Sequence, residues 1–305
     1  MAFFYYCALT LPVYRYSLLT QWSAKEFNIK SFKNKTAFIT GGGSGVGLGM
    51  AGALAEKGMN LALADIDEAK LEAAKKTLAQ YGVRVESYTL DVTDKEAVCE
   101  VVKRVEETFG TINVVCANAG VSGKMGPIQE ADVADWDWVI DVNLKGVAYV
   151  VQACLPYLLK NPQDAHIVIT SSISGLRVYQ PSRGQAMYNT TKFGLVGLGE
   201  ALQVDLAPHG VGVSILCPSI VNTEISHSGL SRPEKYGGAF ETNANHELAN
   251  AASSGTDPLQ FGRWVVKAIE QNLLHVITHP NDQTLVEERH EKIINSFKNS
   301  RLITG

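Results

Sequence analysis

Thr36-Ala37-Phe38-Ile39-Thr40-Gly41-Gly42-Gly43-Ser44-Gly45-Val46-Gly47 is the stretch that decides the fold. Its first five residues read as an apolar strand, and a helix-compatible run begins at Gly45. Glycine permits the tight turn between them and lets backbone N–H groups come close to an anion. The helix N-terminus adds unpaired donors and a partial positive charge. A merely flexible glycine turn would match the composition. It would not need a strand before it and a helix after it. Leu48 follows the last glycine where a Walker loop would carry lysine. The stretch therefore reads as a pyrophosphate cradle, with Gly41, Gly43, Ser44, Gly45, Val46 and Gly47 as contact positions.

Outward from this turn, buried-looking strands alternate with amphipathic helices. The strands are expected at Thr36–Thr40, Asn60–Ala64, Val85–Leu90, Ile112–Ala117, His166–Ser171, Val211–Cys217 and His275–Thr278. Helices are expected near 45–58, 67–80, 94–109, 133–160, 186–207 and 258–272. Near-continuous apolar strands imply burial on both faces, and the alternation implies right-handed crossovers. The fold class is α/β: a single-domain, Rossmann-type, doubly wound parallel sheet of about seven strands over residues 33–300. The polar stretch 224–256 interrupts the pattern and is expected to be a substrate lid, or else a plain surface excursion.

Residues 1–32 are expected to be a loosely ordered extension. The run Ala2-Phe3-Phe4-Tyr5-Tyr6-Cys7 onward is apolar but short for a membrane span, and Pro12 breaks it. No basic stretch precedes it, as a secretory signal would require. Its aromatics could also pack on the domain or on a neighbouring subunit. The 305 residues are 46% hydrophobic and 19% charged, which suits one sizeable core and not a disordered chain. The net charge of −4 and the lack of a basic stripe argue against nucleic-acid partners. Five scattered cysteines and no Cys-x-x-Cys pair read as reduced thiols in a cytoplasmic protein. No metal site is expected. His275 and His279 would lie about 13 Å apart along a strand, too far to share an ion.

Ligands of open α/β sheets bind beyond the carboxyl ends of the strands. Asp65 ends the second strand, where it could accept hydrogen bonds from the adenosine ribose and repel a 2′-phosphate. It could instead cap the next helix, a task Asp67 could also perform. Neither Ser44 nor Ile66 is basic, so NAD is expected over NADP. Asp91-Val92 and Asn118-Ala119-Gly120 end the third and fourth strands on the same rim. Asp91 could bond the adenine amino group, and Asn118 could face the adenosine or stabilise the strand end. A cap or turn role suits each equally well.

Ser171-Ser172 follow the fifth strand, and Tyr188-x-x-x-Lys192 lies in a helix-compatible run. Four-residue spacing puts both side chains on one helix face. A free tyrosine, with a pKa of about 10, is a poor base at neutral pH. A neighbouring ammonium favours its phenolate, so Tyr188 could exchange a proton with an alcohol. Ser172 could donate to the substrate oxygen. The spacing alone would be an ordinary helix-face pair. Its place after a strand-terminal serine, downstream of the cradle, is what gives it meaning.

Thr-Gly-x-x-x-Gly-x-Gly, Asn118-Ala119-Gly120, Ser172 and Tyr188-x-x-x-Lys192, in that order, resemble the short-chain dehydrogenase/reductase family, and its compact branch in particular. The resemblance covers about Lys33 to Pro280. It implies that Ser172 orients the substrate and Tyr188 is the acid/base. It also implies that Lys192 holds the nicotinamide ribose and assists Tyr188. Asn143 resembles the family's fourth catalytic residue and would hold a water in a proton relay. Pro218-Ser219-Ile220-Val221-Asn222-Thr223 is similar to the family's Pro-Gly-x-x-x-Thr segment, with Ser219 in place of Gly; Val221 and Thr223 would contact the carboxamide. The interval between Ser172 and Tyr188 is a few residues long for the family.

The expectation is an NAD-linked oxidoreductase of a secondary alcohol or ketone, a small-molecule substrate that is bulky and apolar. Met125, Ile128, Ile173, Leu176, Val178 and Tyr179 are expected at its pocket. By resemblance the chain forms a homotetramer or dimer, and no membrane partner is expected. The alternatives are an NADPH-dependent ketone or 3-oxoacyl reductase, a catalytically inactive NAD-sensing protein, and an epimerase or dehydratase using NAD transiently.

Overall fold

Strand β1 (Thr36–Thr40) is buried at every residue and sits inside the sheet. Its side chains alternate between two cores, with Ala37 and Ile39 on one face and Phe38 on the other. The computed structural model describes residues 29, 31–178, 184–241 and 255–304. Around β1 it places β2 (Asn60–Asp65), β3 (Val85–Thr89), β4 (Val114–Ala117), β5 (His166–Thr170), β6 (Gly212–Cys217) and β7 (His275–Ile277). All pairings are parallel, in the order β3-β2-β1-β4-β5-β6-β7. The order reverses between β1 and β4, which opens a crevice at their carboxyl ends.

The helices are α1 (Gly45–Glu56), α2 (Glu68–Leu78), α3 (Lys95–Phe109), α4 (Val133–Ile140), α5 (Val147–Leu158), α6 (Ala186–Leu206), α7 (Pro258–Gln271) and α8 (Gln283–Thr304). One face of the sheet packs Met50 and Leu54 of α1 with Phe261, Val265 and Ile269 of α7. The other packs Val98 and Val102 of α3, Val150 and Val151 of α5 and Leu195 of α6. Strand ends lie within a residue or two of the sequence reading. Ile29 and Phe32 join the α1/α7 core. Residues 1–28 and 30 of the expected extension lie outside the described residues.

Two features depart from the sequence reading, and a third adds detail to it. The stretch expected as one α-helix over 133–160 contains a π-helical turn, Asp141–Gly146, between α4 and α5. This composite helix, Val133–Leu158, is long and apolar enough to cross a membrane by length and composition. Its Val147, Val150, Val151, Cys154 and Leu158 are instead buried in the core. Within the expected lid, Ile225–Ser231 and Glu234–Tyr236 are short 3-10 turns, while 242–254 lies outside the described residues. Helix α8 was not expected. Its apolar positions are sparse and largely exposed, as at Ile294 and Phe297, so it lacks the periodic buried face by which the other helices are recognised.

Candidate active site

A cavity of about 630 Å³ opens at the carboxyl ends of the strands. Every catalytic and cofactor-contact residue expected from the sequence lines it except Gly43, Gly47 and Asn143. Those three lie just behind its wall. At Gly47 a Cβ would come within 2.0 Å of the Gly41 carbonyl oxygen, so α1 can start against the turn only without a side chain there. Gly41, at φ +62°, makes the turn itself. The N-cap residue of α1, Ser44, makes no side-chain capping bond, which leaves the first-turn N–H groups open to an anion.

Asp65 stands at the tip of β2. Its carboxylate accepts from Gly43 N at 3.0 Å and from Asp67 N at 3.1 Å. Asp67 is the cap of α2, accepting from Lys70 N at 3.1 Å, so the capping alternative for Asp65 falls away. Gly43 thus serves the cavity by orienting Asp65, and Ile66 forms the exposed wall beside it. At the tip of β3, Asp91 accepts from the Thr93 backbone at 2.9 Å and the Thr93 hydroxyl at 2.8 Å. Lys235 Nζ reaches its other oxygen at 3.2 Å. Burial pushes this carboxyl up, but the Thr93 bonds and Lys235 outweigh it and hold it below the ordinary range. Asp91 therefore organises a turn and lines the cavity at once.

Asn118 stabilises strand ends. Its amide donates to Thr40 O at 3.0 Å and Gly41 O at 3.3 Å, and its oxygen accepts from Thr170 Oγ1 at 3.0 Å. Thr40 Oγ1 in turn accepts from the backbone of Asn118 and Ala119. One residue on, Gly120 lies between the Asn143 amide and the Lys192 ammonium; a Cβ there would be 3.3 Å and 3.5 Å from them.

Lys192 and Tyr188 project from α6 toward this rim. Lys192 is buried, and its Nζ donates to Thr170 O at 2.9 Å. The same ammonium lies 5.4 Å from the centre of the Tyr188 ring. Burial pushes the Lys192 amine down to about 8, partly offset by Cys217. Ser172 is the last residue before a short 3-10 turn, Ile173–Gly175. Its hydroxyl accepts from Ser174 N at 3.1 Å and lies 3.4 Å from Pro218 O. Ser171 ties that turn to α6 by donating to Lys192 O at 2.8 Å. Asn143 is fully buried, accepting from Val121 N at 2.7 Å and donating to Val121 O at 2.9 Å. Its side chain clamps a backbone and does not enter the cavity.

Residues 224–240 roof the cavity. Thr223 abuts Gly45. Glu224 meets Lys70 of α2 at 3.2 Å, and Tyr236 donates to Asp141 at 2.7 Å. Arg232 Nη1 pairs with the buried Asp135 at 2.7 Å, with its guanidinium near the Trp138 and Phe240 rings. The sequence reading missed Trp138 as a lining residue, while Leu230 and Tyr236 belong to the stretch 224–256 that it expected as the substrate lid. It expected Met125, Ile128, Leu176 and Val178, none of which lines this cavity, and Tyr179 lies outside the described residues. Ile128 and Val178 point to solvent and Leu176 packs against β6 residues. Of the described apolar positions expected near Ser172 only Ile173 lines the cavity, and the expected lid segment supplies the roof. Among the described residues no His, Cys, Asp and Glu cluster could hold a metal.

The family model described as short chain dehydrogenase matches residues 35–233. A "CLA biosynthesis dehydrogenase/reductase" of Lactiplantibacillus plantarum is 31% identical over 276 residues, covering 87% of this chain and 95% of that protein. A "C alpha-dehydrogenase" of Sphingobium sp. is 30% identical over 271 residues, covering 88% of each. A solved short-chain dehydrogenase/reductase from Burkholderia phymatum, in complex with NAD, superposes with a TM-score of 0.82 at 35% identity, covering 87% of this chain and 96% of that one. The likeness runs along most of the chain and agrees with the seven-stranded parallel sheet, and the chain belongs to the short-chain dehydrogenase/reductase family.

Proposed function

We propose that this oxidoreductase interconverts a bulky, apolar secondary alcohol and its ketone, using NAD(H). The observation that carries the reading is the buried Lys192 against Tyr188, beside Ser172, in one cavity whose other end is Asp65. The nicotinamide cofactor, when bound, supplies or accepts the hydride. The open N–H groups at the start of α1 would hold its pyrophosphate, and Asp65 its adenosine ribose. Tyr188 would exchange the alcohol proton while the Lys192 ammonium stabilises charge on the tyrosine oxygen. Ser172 would donate to the substrate oxygen. Any part Asn143 takes in a proton relay passes through its main chain, because its amide is engaged with Val121.

Trp138, Ile173, Leu230 and Tyr236 give the substrate end its apolar character. One observation favours NADPH as a second reading: Lys70 lines the cavity near Asp65 and is held by the exposed Glu224. Free thiols at Cys99, Cys116, Cys154 and Cys217 suit a cytoplasmic setting. A homotetramer or dimer paired through α5 and α6 is the assembly the family resemblance implies.

The test is a panel of secondary alcohols and ketones with NAD(H) and NADP(H), followed by nicotinamide absorbance. Tyr188→Phe is expected to lose roughly 10³-fold in turnover while still binding NADH. Turnover near the wild-type rate in that variant would remove Tyr188 from its role.

A further inference from the structure

We infer that Thr170, the last residue of β5, is a positioning residue that sets the phosphate cradle and Lys192 in register with each other. The inference rests on the oxidoreductase reading above. Thr170 faces both halves of the site. Its hydroxyl donates to Asn118 Oδ1 at 3.0 Å, and Asn118 Nδ2 donates onward to Thr40 O and Gly41 O. Its own main-chain oxygen accepts from Lys192 Nζ at 2.9 Å. A chain of hydrogen bonds therefore runs from the turn that receives the pyrophosphate to the ammonium beside Tyr188.

The hydroxyl is the only described donor to Asn118 Oδ1. That oxygen decides which way the amide faces. With the oxygen held by Thr170, the NH₂ group is turned to the two carbonyls of the cradle. Without that donor the amide keeps its two bonds to the cradle carbonyls but its oxygen is left unpaired at a nearly buried position, which weakens the tether of the turn at Gly41. The position is nearly buried, so water is a poor replacement for the lost hydroxyl. Lys192 has Tyr188 on its own helix and Cys217 on β6 as titratable neighbours. The Thr170 carbonyl is its described hydrogen-bond acceptor, so the placing of β5's last residue sets where the ammonium stands.

The test compares Thr170→Val, which keeps the shape and the carbonyl but removes the hydroxyl, with Thr170→Ser, which keeps the hydroxyl. The full-length protein is read in three ways: NADH affinity by fluorescence titration, the pH profile of kcat, and the thermal midpoint. Thr170→Val is expected to bind NADH about tenfold more weakly, the scale of one lost buried hydrogen bond, and to shift its pH profile. Thr170→Ser should stay within about twofold of wild type with an unmoved profile, a difference too small to represent a lost bond. Thr170→Ala is read alongside and guards against a packing defect special to valine.

If the valine and serine variants behave alike, or if Thr170→Val lowers only the thermal midpoint, the inference is overturned. Lack of turnover by the wild type on every alcohol would instead overturn the oxidoreductase reading. The NADH arm would still decide the role of Thr170, because it needs no turnover.

Discussion

The cradle and the roof of the cavity are built by different means. The cradle is backbone against backbone: Gly47 lies against the Gly41 carbonyl, and Asn118 and Thr40 bond main-chain groups at the ends of β1 and β4. The roof, residues 224–240, is held mainly by long side chains reaching out of a loop: Glu224 to Lys70, Arg232 to Asp135, Lys235 to Asp91 and Tyr236 to Asp141. Backbone packing leaves one geometry. Side-chain ties can be made and broken one at a time, so the difference assigns rigidity to the end expected to hold cofactor phosphates and adjustability to the end expected to hold substrate.

The sharpest way to break that contrast is Arg232→Ala. Asp135 is 1% exposed and would be left as a buried charge without its partner. A loss of about 3–5 kcal/mol is expected, read by urea denaturation followed by tryptophan fluorescence. An unchanged midpoint would mean the roof does not depend on this pair.

The rim carries a second large term, at Lys192. Its amine is pushed down to about 8 by burial, against an ordinary value near 10.5. The folded protein therefore gives up this proton before the unfolded chain does. The cost of burying the charge is fully present below about pH 8 and is relieved as pH rises from about 8 toward 10.5. Relative to Lys192→Met, wild type should gain roughly 3 kcal/mol across that window. The ammonium available to a nicotinamide ribose is lost as pH rises through about 8, so NADH affinity should weaken there. A pH-independent difference between the two proteins would contradict this placement of Lys192.

Gly47→Ala comes next. With backbone oxygen 2.0 Å from the added carbon, α1 must move away from its turn. About 1–3 kcal/mol of destabilisation is expected, with a disproportionate loss of NADH affinity measured by titration. Retained affinity would show that the cradle can yield after all. Lys235→Ala should have the smallest effect. Its pair with Asp91 is exposed and worth at most about 1 kcal/mol, so stability should hardly change. A faster release of NADH, by a few-fold in stopped flow, would mark the roof as a gate over the adenosine end.

Much of this was legible in the sequence because it depends on local rules. A strand, a glycine turn and a helix must follow one another in the chain, so the cradle could be read at Thr36–Gly47. Tyr188 and Lys192 share a helix face by spacing alone. Other features were not legible because they depend on meetings between distant segments. Arg232 finds Asp135 nearly a hundred residues away, and nothing beside either residue announces it. The π-turn at Asp141–Gly146 has no composition of its own, and it carries Asn143, whose side chain bonds the Val121 backbone.

Sequence by itself determined the parallel α/β class, the position of the cradle, the Asp65 rim and the family, since periodicity and short motifs encode them. Tertiary structure alone decided that Asp67 and not Asp65 caps α2. It also decided that the Asn143 side chain clamps a backbone, that Thr170 joins the two halves of the site, and that Trp138 belongs to the pocket wall. Each of those outcomes is a choice among partners equally allowed by residue type. Only the folded chain brings one of them within hydrogen-bonding or van der Waals distance.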